Sequence, residues 1–402
     1  MTGLDSATTA IASVRRVSAA DRHSAMSFDV ELRPLVELAC IAEDWRALAA
    51  RALEPNAFYD PSFALAAAPL LGADVQVGLV WSRTPRQLAG FFPVRNDRRR
   101  YGVPFAVMVG WTHPYAPLGT PLVDRELAEP AINAWLDHVS LDAALPRLML
   151  MPLISQTGAF ALRLADVLAR RGCVATSFDR HQRALLVPGE SRADYSQRSM
   201  SGKRLRNLRR RRRQLEECGP VAADLATGGE TLARALDDFF TLEACGWKGR
   251  AGTAAAQHQG VRDFIQQAVM ALGMDNKVLI QRLLAGGKTI AAAIALKSGD
   301  TAWGWKVSYD EAYAHYSPGV LAVADLTQTL LADPEIRQAD SCASPTDTMA
   351  PQLWTERLPM ADWLFVTDAS GDFAFGLASR LEALRRAAIA AAKSAHDHLR
   401  RR

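Results

Sequence analysis

What this chain has little of narrows its chemistry first. Its 402 residues hold five cysteines: Cys40, Cys173, Cys218, Cys245 and Cys342. They are odd in number, far apart and form no CxxC pair. That argues against a disulfide scaffold and against a zinc site of clustered thiolates. Free thiols in a reducing cytosol are the fitting reading. No apolar run approaches the ~20 residues needed to span a bilayer. A soluble, cytoplasmic protein is expected. There is no GxxxxGK[ST], HExxH or GxSxG motif, and no GxGxxG in a strand–helix setting. His258 and His315 stand alone, so no metal site is expected. The first 28 residues are rich in Ala, Ser and Thr, with Arg15, Arg16 and Arg22, and lack the apolar core of a secretory signal. They read as a disordered leader. Length and 49 % hydrophobic content fit two ordinary domains.

Positive charge is present but concentrated. "GKRLRNLRRRRRQLEECGP", residues 202 to 220, packs Lys203, Arg204, Arg206 and Arg209 to Arg213 into eleven positions. That run carries +8 in a chain of net +4, so the rest sums to −4. A DNA-binding protein spreads its basicity over a face or a domain. Here a local anionic ligand is the better fit. Leu205, Leu208 and Leu215 share one helical face, and Gly219-Pro220 stops the helix. The run reads as an interdomain helix with a solvated basic face. The alternative is a helix whose arginines line a cleft for an anionic donor or acceptor. A nucleic-acid or membrane-surface binder built on this run is a reading from another class.

Along the rest of the chain one order of elements occurs twice. "ELACIAEDWRALAARAL" has helical spacing, and "DPSFALAAAPLLG" is a second helix with Asp60 as N-cap and Pro61 first inside. "DVQVGLVWS", "QLAGFFPVRNDRR" and "PFAVMVGW" read as a strand meander. A Pro/Gly-rich loop, a helix around Pro130, the strand "PRLMLMPLI", a helix to Gly172 and strand material at "VATSFDRHQRALLV" follow. After the basic helix come two more helices, three strands within 277–310, a loop, the helix "VLAVADLTQTLLAD" and strands at "RQADSCAS" and "ADWLFVTD". The expectation is an α/β chain with mixed sheets, two tandem domains joined by a basic helix. Its boundaries are a leader at 1–28, an N-terminal domain at 29–190, a basic linker helix at 191–220, a C-terminal domain at 221–367 and a helical basic tail at 368–402.

Two segments hold candidate chemistry. In "WGWKVSYDEAYAHYSPGVLAVADLTQTLL", residues 303 to 331, a strand runs into a loop that ends at Ser317-Pro318-Gly319 before an apolar helix. Ser317 suits the N-cap and Pro318 the first helical position. Gly319 lets a ligand approach the backbone, and the free N–H groups favour an anion. A plain capped helix is the bland alternative. In "FFTLEACGWKGRAGTA", residues 239 to 254, Trp247, Lys248 and Arg250 follow a helix and suit a clamp on an anionic or flat substrate. The alternative is a C-cap at Gly246 with Trp247 tucked into the core.

Taken together, "KRLRNLRRRRRQLEECG", "LEACGWKGRAGTA", "LLAGGKTIAAAIALKSGDTAWGWKVSYDEAYAHYSPGVLAVADL" and the region from Asp340 to Trp354 carry a resemblance. Over about residues 200 to 366 the chain resembles the GNAT-type acetyltransferase domain of bacterial proteins linked to cellulose and exopolysaccharide synthesis, the BioF-like family. The duplicated order is similar to the Fem-type aminoacyl transferases. The resemblance implies an N-acetyltransferase moving an acetyl or other acyl group from acyl-CoA to an amine or hydroxyl. The acceptor would be a small molecule or a glycan precursor of exopolysaccharide or envelope metabolism. Nucleic acid is not implied, except tRNA under the Fem-like reading, and oligomeric state is left open. The resemblance places the pantetheine of acetyl-CoA beside the strand with Val307 and Tyr309. It places the pyrophosphate at Tyr316, Ser317, Pro318, Gly319 and Val320, although "HYSPGV" has one glycine where the family carries two small residues. Asp310 is the best-placed proton acceptor and Asp340 the second. Tyr309, Tyr313 and Tyr316 are candidates to protonate the leaving thiolate. Trp247, Lys248, Arg250, Trp305 and Lys306 are candidates for the substrate side. The N-terminal loop "WTHPYAPLGTPLVD" has Pro114, Pro117 and Pro121 where an anion site needs N–H groups. That half is expected to be a degenerate copy that shapes the acceptor cleft.

Overall fold

The structure is a computed structural model that describes residues 27–189, 192 and 194–400. The expected leader lies outside the described residues except for its last two. Phe28 already opens a strand, β1 (Phe28–Pro34). A 3-10 turn at Leu35–Ile41 leads into α1 (Ala42–Ala50) and then α2 (Pro61–Leu71). Pro61 sits at the first turn of α2, and Asp60 accepts from the Ser62 N–H at 2.9 Å, as its spacing predicts. The meander follows as β2 (Gln76–Arg83), β3 (Arg86–Asp97) and β4 (Val107–Gly110). A short β5 (Leu122–Val123), α3 (Ala128–Leu141), β6 (Leu148–Ser155), α4 (Ala159–Arg170) and β7 (Ala175–Leu186) complete this half.

The second half repeats the order. A short α5 (Tyr195–Ser199) and the basic α6 (Gly202–Glu216) precede β8 (Val221–Ala226). Next come α7 (Gly229–Cys245), a one-turn α8 (Trp247–Arg250) and α9 (Gln259–Met274). The strands β9 (Val278–Ala285), β10 (Lys288–Ser298) and β11 (Thr301–Tyr309) form an antiparallel meander. A 3-10 turn at Glu311–Tyr316, α10 (Pro318–Ala332), β12 (Gln338–Asp340) and β13 (Glu356–Val366) follow. The helical tail α11 (Asp372–Arg400) begins a few residues before the Ala/Arg-rich stretch. The edge strands β1 and β8 are absent from the sequence reading. "VAADLA" is half exposed and lacks the bulky β-branched run that marks a strand.

All thirteen strands join one sheet. Its order is β1-β2-β3-β4-β6-β13-β7-β12-β11-β10-β9-β8, with β5 on the flank of β3. The last strands of the two halves are exchanged: β13 inserts beside β6, and β7 pairs with β12. The two parallel pairs, β4 with β6 and β11 with β12, occupy matching places in the two halves. The halves also share a core. Phe63 of α2 meets Phe264 of α9 edge-on at 5.3 Å and Trp305 of β11 at 5.5 Å. Lys277 reaches back to the buried Asp60 carboxylate at 2.8 Å.

Candidate functional site

Two features of β11 build the site. The first is its divergence from β12. The strands pair in parallel from Thr301 with Gln338 to Trp303 with Asp340, and pairing then stops. Between them opens a slot of about 170 Å³, lined by Ala293, Gly304, Val307, Val323, Ala343 and Trp354. Its lining is largely apolar, with Lys306, Ser341 and Asp347 as the polar residues at its border. A Cβ added at Gly304 would lie 3.4 Å from the Trp354 ring. The second feature is a bulge. On β10, Ile294 pairs with Lys306 and Ala295 with Gly304, leaving Trp305 unpaired. Trp305 and Lys306 therefore turn their side chains to the same face, with Lys306 reaching Glu243 and Phe239 of α7, while both residues still border the slot beside Val307.

The start of α10 adjoins the slot. Ser317 occupies the N-cap position, as predicted, but in the left-handed region at φ 53° and without a side-chain cap. Its hydroxyl accepts a hydrogen bond from the Arg211 guanidinium instead. Gly319 lets the helix start close on Tyr309, since a Cβ there would lie 3.1 Å from the ring. The basic helix α6 lies alongside. Arg212 grips Asp325 of α10 with two bonds of 2.9 and 2.7 Å, and Arg204 donates to the Gln352 carbonyl at 3.1 Å. Between them lies a cavity of about 670 Å³, bordered by Lys203, Arg204, Arg206, Arg210, Arg211 and Val320. Val320 is one helical turn from Val323, so cavity and slot open along the same side of α10. The expected solvated face is thus in part a cleft wall.

On the opposite face stands a buried charge cluster. Glu243 is 2 % exposed. It accepts from the Ala255 N–H at 2.8 Å and from Lys248 Nζ at 2.8 Å, and Lys306 Nζ is 3.6 Å away. Burial alone would raise the Glu243 carboxyl, but Lys306 and Lys248 hold it below its ordinary value. Burial pushes the Lys306 ammonium down to about 8, with Glu243 opposing the shift. Tyr115, from the N-terminal half, and Trp305 place their rings 4.9 and 5.8 Å from Lys306 Nζ. Tyr115 also fixes Trp305, whose indole N–H donates to the Tyr115 carbonyl at 2.8 Å.

The other predicted residues fall apart from this centre or serve elsewhere. Asp310 caps the turn after β11 through the Ala312 N–H at 3.0 Å and pairs with Lys288 at 2.7 Å. The Lys288 contact holds its carboxyl below the ordinary range, which makes it a poor proton acceptor. Asp310→Asn is expected to lower turnover less than about fivefold at pH 7, since only a cap and an exposed ion pair are weakened; a steady-state assay with acetyl-CoA checks this. Tyr313 and Tyr316 pack side by side at 6.5 Å, with the Tyr316 hydroxyl 3.4 Å from Cys218 Sγ. Asp340 is buried against Arg183 at 2.9 Å. Trp247 is 59 % exposed, which overturns its tucked-in reading. Gly246 does end α7, and Glu311 binds both the Trp247 N–H and Arg250. Glu243 and Tyr115 were not singled out from the sequence. The spacing of Glu243 and Lys248 within "LEACGWK" was the available signal.

Among the described residues, the matching place in the N-terminal half is filled. Beyond Val109 with Leu150, where the β4–β6 pairing ends, its own loop fills the gap. The Gly119 N–H donates to the Leu153 carbonyl at 3.2 Å, and a Cβ at Gly119 would run into the Pro152 carbonyl.

Residues 202–347 match the family model described as an acetyltransferase (GNAT) domain. A search of the curated proteins finds no match. Among solved structures, FemX aligns over 81 % of this chain and 95 % of its own, at 8 % identity and TM-score 0.53. A conserved protein of unknown function from Bacteroides thetaiotaomicron aligns over 84 % of this chain and all of its own, at 11 % identity and TM-score 0.53. The C-terminal domain of a putative lysylphosphatidylglycerol synthetase from Agrobacterium fabrum aligns over 84 % and 94 %, at 13 % identity and TM-score 0.52. At these identities the likeness is one of fold. Among the described residues no helix is long and apolar enough to cross a membrane. The diverging β11 and β12, the helix start beside them and the repeated order of elements agree with the acetyltransferase (GNAT) domain model matched at residues 202–347, within a two-halved fold like that of FemX.

Proposed function

We propose that the protein transfers an acyl group, acetyl being the first to test, from acyl-CoA to an amine or hydroxyl acceptor. The observation that carries this reading is the slot between β11 and β12 running into the arginine-bordered start of α10. A thin apolar arm suits the slot, and its phosphates suit Arg204, Arg211 and the free N–H groups of α10. The acceptor enters from the other face, between Tyr115 of the N-terminal half and Glu243, Lys248 and Lys306. The plugged gap at Gly119 supports an N-terminal half that binds no donor and shapes this acceptor cleft.

Neutral Lys306 takes the proton from the acceptor. The acceptor's nitrogen or oxygen bonds to the acyl carbon as the C–S bond breaks, and the thiolate leaves on the donor. Glu243, itself held by Lys248, orients Lys306 and stabilises it once protonated, while the nearby Lys248 charge favours the neutral form. This assigns the proton to Lys306 in place of Asp310. Resemblance to exopolysaccharide-linked domains supports an envelope-glycan precursor as acceptor.

Acetyl-CoA at about 100 times its Kd is expected to stabilise the protein by about 2.7 kcal/mol, read as a raised Tm. Gly319→Glu is expected to remove that shift, because the side chain presses on Tyr309 and sets a carboxylate at the helix start. A shift that survived in the variant would displace the donor from this site; no shift with any acyl-CoA would sink the reading.

A further inference from the structure

The cations of α6 continue past the cavity they border. Arg206, Arg209, Arg210 and Arg213 lie at i, i+3, i+4 and i+7, so they form one stripe, and all four are exposed. Arg206 and Arg210 border the cavity; Arg209 and Arg213 do not. Among the described residues, Arg212 is the one cation of the run with a carboxylate partner. Like charges three and four apart weaken a helix by a few tenths of a kcal/mol each. A ligand confined to the cavity leaves Arg209 and Arg213 untouched, so the stripe fits a partner with an extended acidic surface.

Three features decide what kind. No aromatic side chain borders the cavity, so bases have no stacking platform of the sort single-stranded nucleic acid uses. The leucines of α6 turn inward: Leu215 is buried, and Leu205 and Leu208 pack on the core beneath α10. The helix thus offers a membrane no apolar face. The slot admits a thin arm, and it lies along α10, whose Val320 also borders the cavity that Arg206 and Arg210 line.

Resting on the acyl-transfer reading, we propose that α6 docks an acidic carrier protein that presents its acyl group on a phosphopantetheine arm. The arm threads the slot, its single phosphate meets Arg204 and Arg211, and the carrier's carboxylates pair with Arg206, Arg209, Arg210 and Arg213. The acyl carbon leaves the arm's sulfur for the acceptor, and the carrier departs as its free thiol with the proton taken from the acceptor.

The test is binding of the full-length protein, at about 0.15 M salt, to four probes. These are fluorescently labelled holo acyl carrier protein from a bacterial fatty-acid synthase, CoA, unfractionated tRNA and phosphatidylglycerol vesicles. Holo carrier protein is expected to bind, and R209E/R213E to weaken it about tenfold or more while changing CoA affinity less than about twofold. Carrier binding that ignores the charge reversal, or no carrier binding while CoA binds, overturns the proposal and leaves acyl transfer standing. Tighter, equally charge-sensitive binding of tRNA or of vesicles also overturns it. Failure of both CoA and carrier protein removes the acyl-transfer reading itself.

Discussion

Lys306→Met is expected to slow acyl transfer by about 10²–10⁴ and, in the same variant, to raise the melting temperature. The two effects have one cause. Lys306 sits beside Glu243 among Tyr115, Phe239 and Trp305, where burial brings its ammonium from an ordinary 10.5 down to about 8. That drop corresponds to an order of 3 kcal/mol against the charged form. Methionine keeps the apolar stem and removes the charge, while Glu243 retains Lys248 and the Ala255 N–H. That drop already includes the attraction to Glu243, and the imperfect fit of methionine in the lysine's place offsets part of the gain. A net stabilisation of about 1–2 kcal/mol remains.

The same shift prepares the lysine for chemistry. At pH 7 roughly one-tenth of the molecules carry a neutral Lys306, against fewer than one in a thousand for an ordinary lysine. Loss of a positioned base costs about 10²–10⁴ in rate. Turnover of the unmodified protein is expected to rise with pH and level off above about 8. In the unfolded chain the lysine holds its proton up to 10.5, but in the folded chain only to about 8. Between these values the unfolded state binds more protons, so the unmodified protein gains stability as pH rises through that window. The advantage of methionine is therefore full below pH 8 and fades toward 10.5. Thermal melts across pH and single-turnover rates read both effects. Activity within tenfold of the unmodified protein, with acetyl-CoA binding intact, would remove Lys306 from the reaction.

The local parts of this arrangement were legible in the sequence. Short apolar runs split by polar turns marked β2, β3, β9, β10 and β11, and Ser317-Pro318 marked the start of α10. These signals are carried by neighbours along the chain. The site itself depends on long-range pairs. Glu243 meets Lys306 across 63 positions, and Tyr115 of the other half completes the wall. The bulge that turns Trp305 and Lys306 to one face needs a register mismatch with β10, which no residue of β11 announces. Asp310 ends a strand, where a proton acceptor would suit, yet Lys288, 22 positions earlier, claims it. The exchange of β7 and β13 is set by which edges meet in space, and periodicity within either strand says nothing of that.

One buried ion pair ties the exchanged strands, and Asp340→Ala is expected to be the most destabilising single change proposed for this chain. Asp340 lies on the last rung before β11 and β12 diverge, opposite Trp303 on one side and Leu185 of β7 on the other. Its carboxylate accepts from Arg183 at 2.9 Å and from the Cys342 N–H at 2.9 Å, and Arg183 also donates to the Pro117 carbonyl at 2.7 Å. Both side chains are 3 % exposed. Three segments from the two halves are thus tied at one point. Removing the carboxylate strands a buried guanidinium, at a cost of about 3–5 kcal/mol. Replacing both partners removes the charge as well as its counter-charge, so R183M/D340L is expected to recover most of that loss. The same pair of variants separates structure from chemistry. If Asp340 only holds the sheet, the double variant regains acyl transfer along with its melting temperature. A folded double variant without activity would give Asp340 a part in the reaction. A loss under about 1 kcal/mol in the single variant would mean that the exchanged strands are held by their backbone ladder and apolar packing instead.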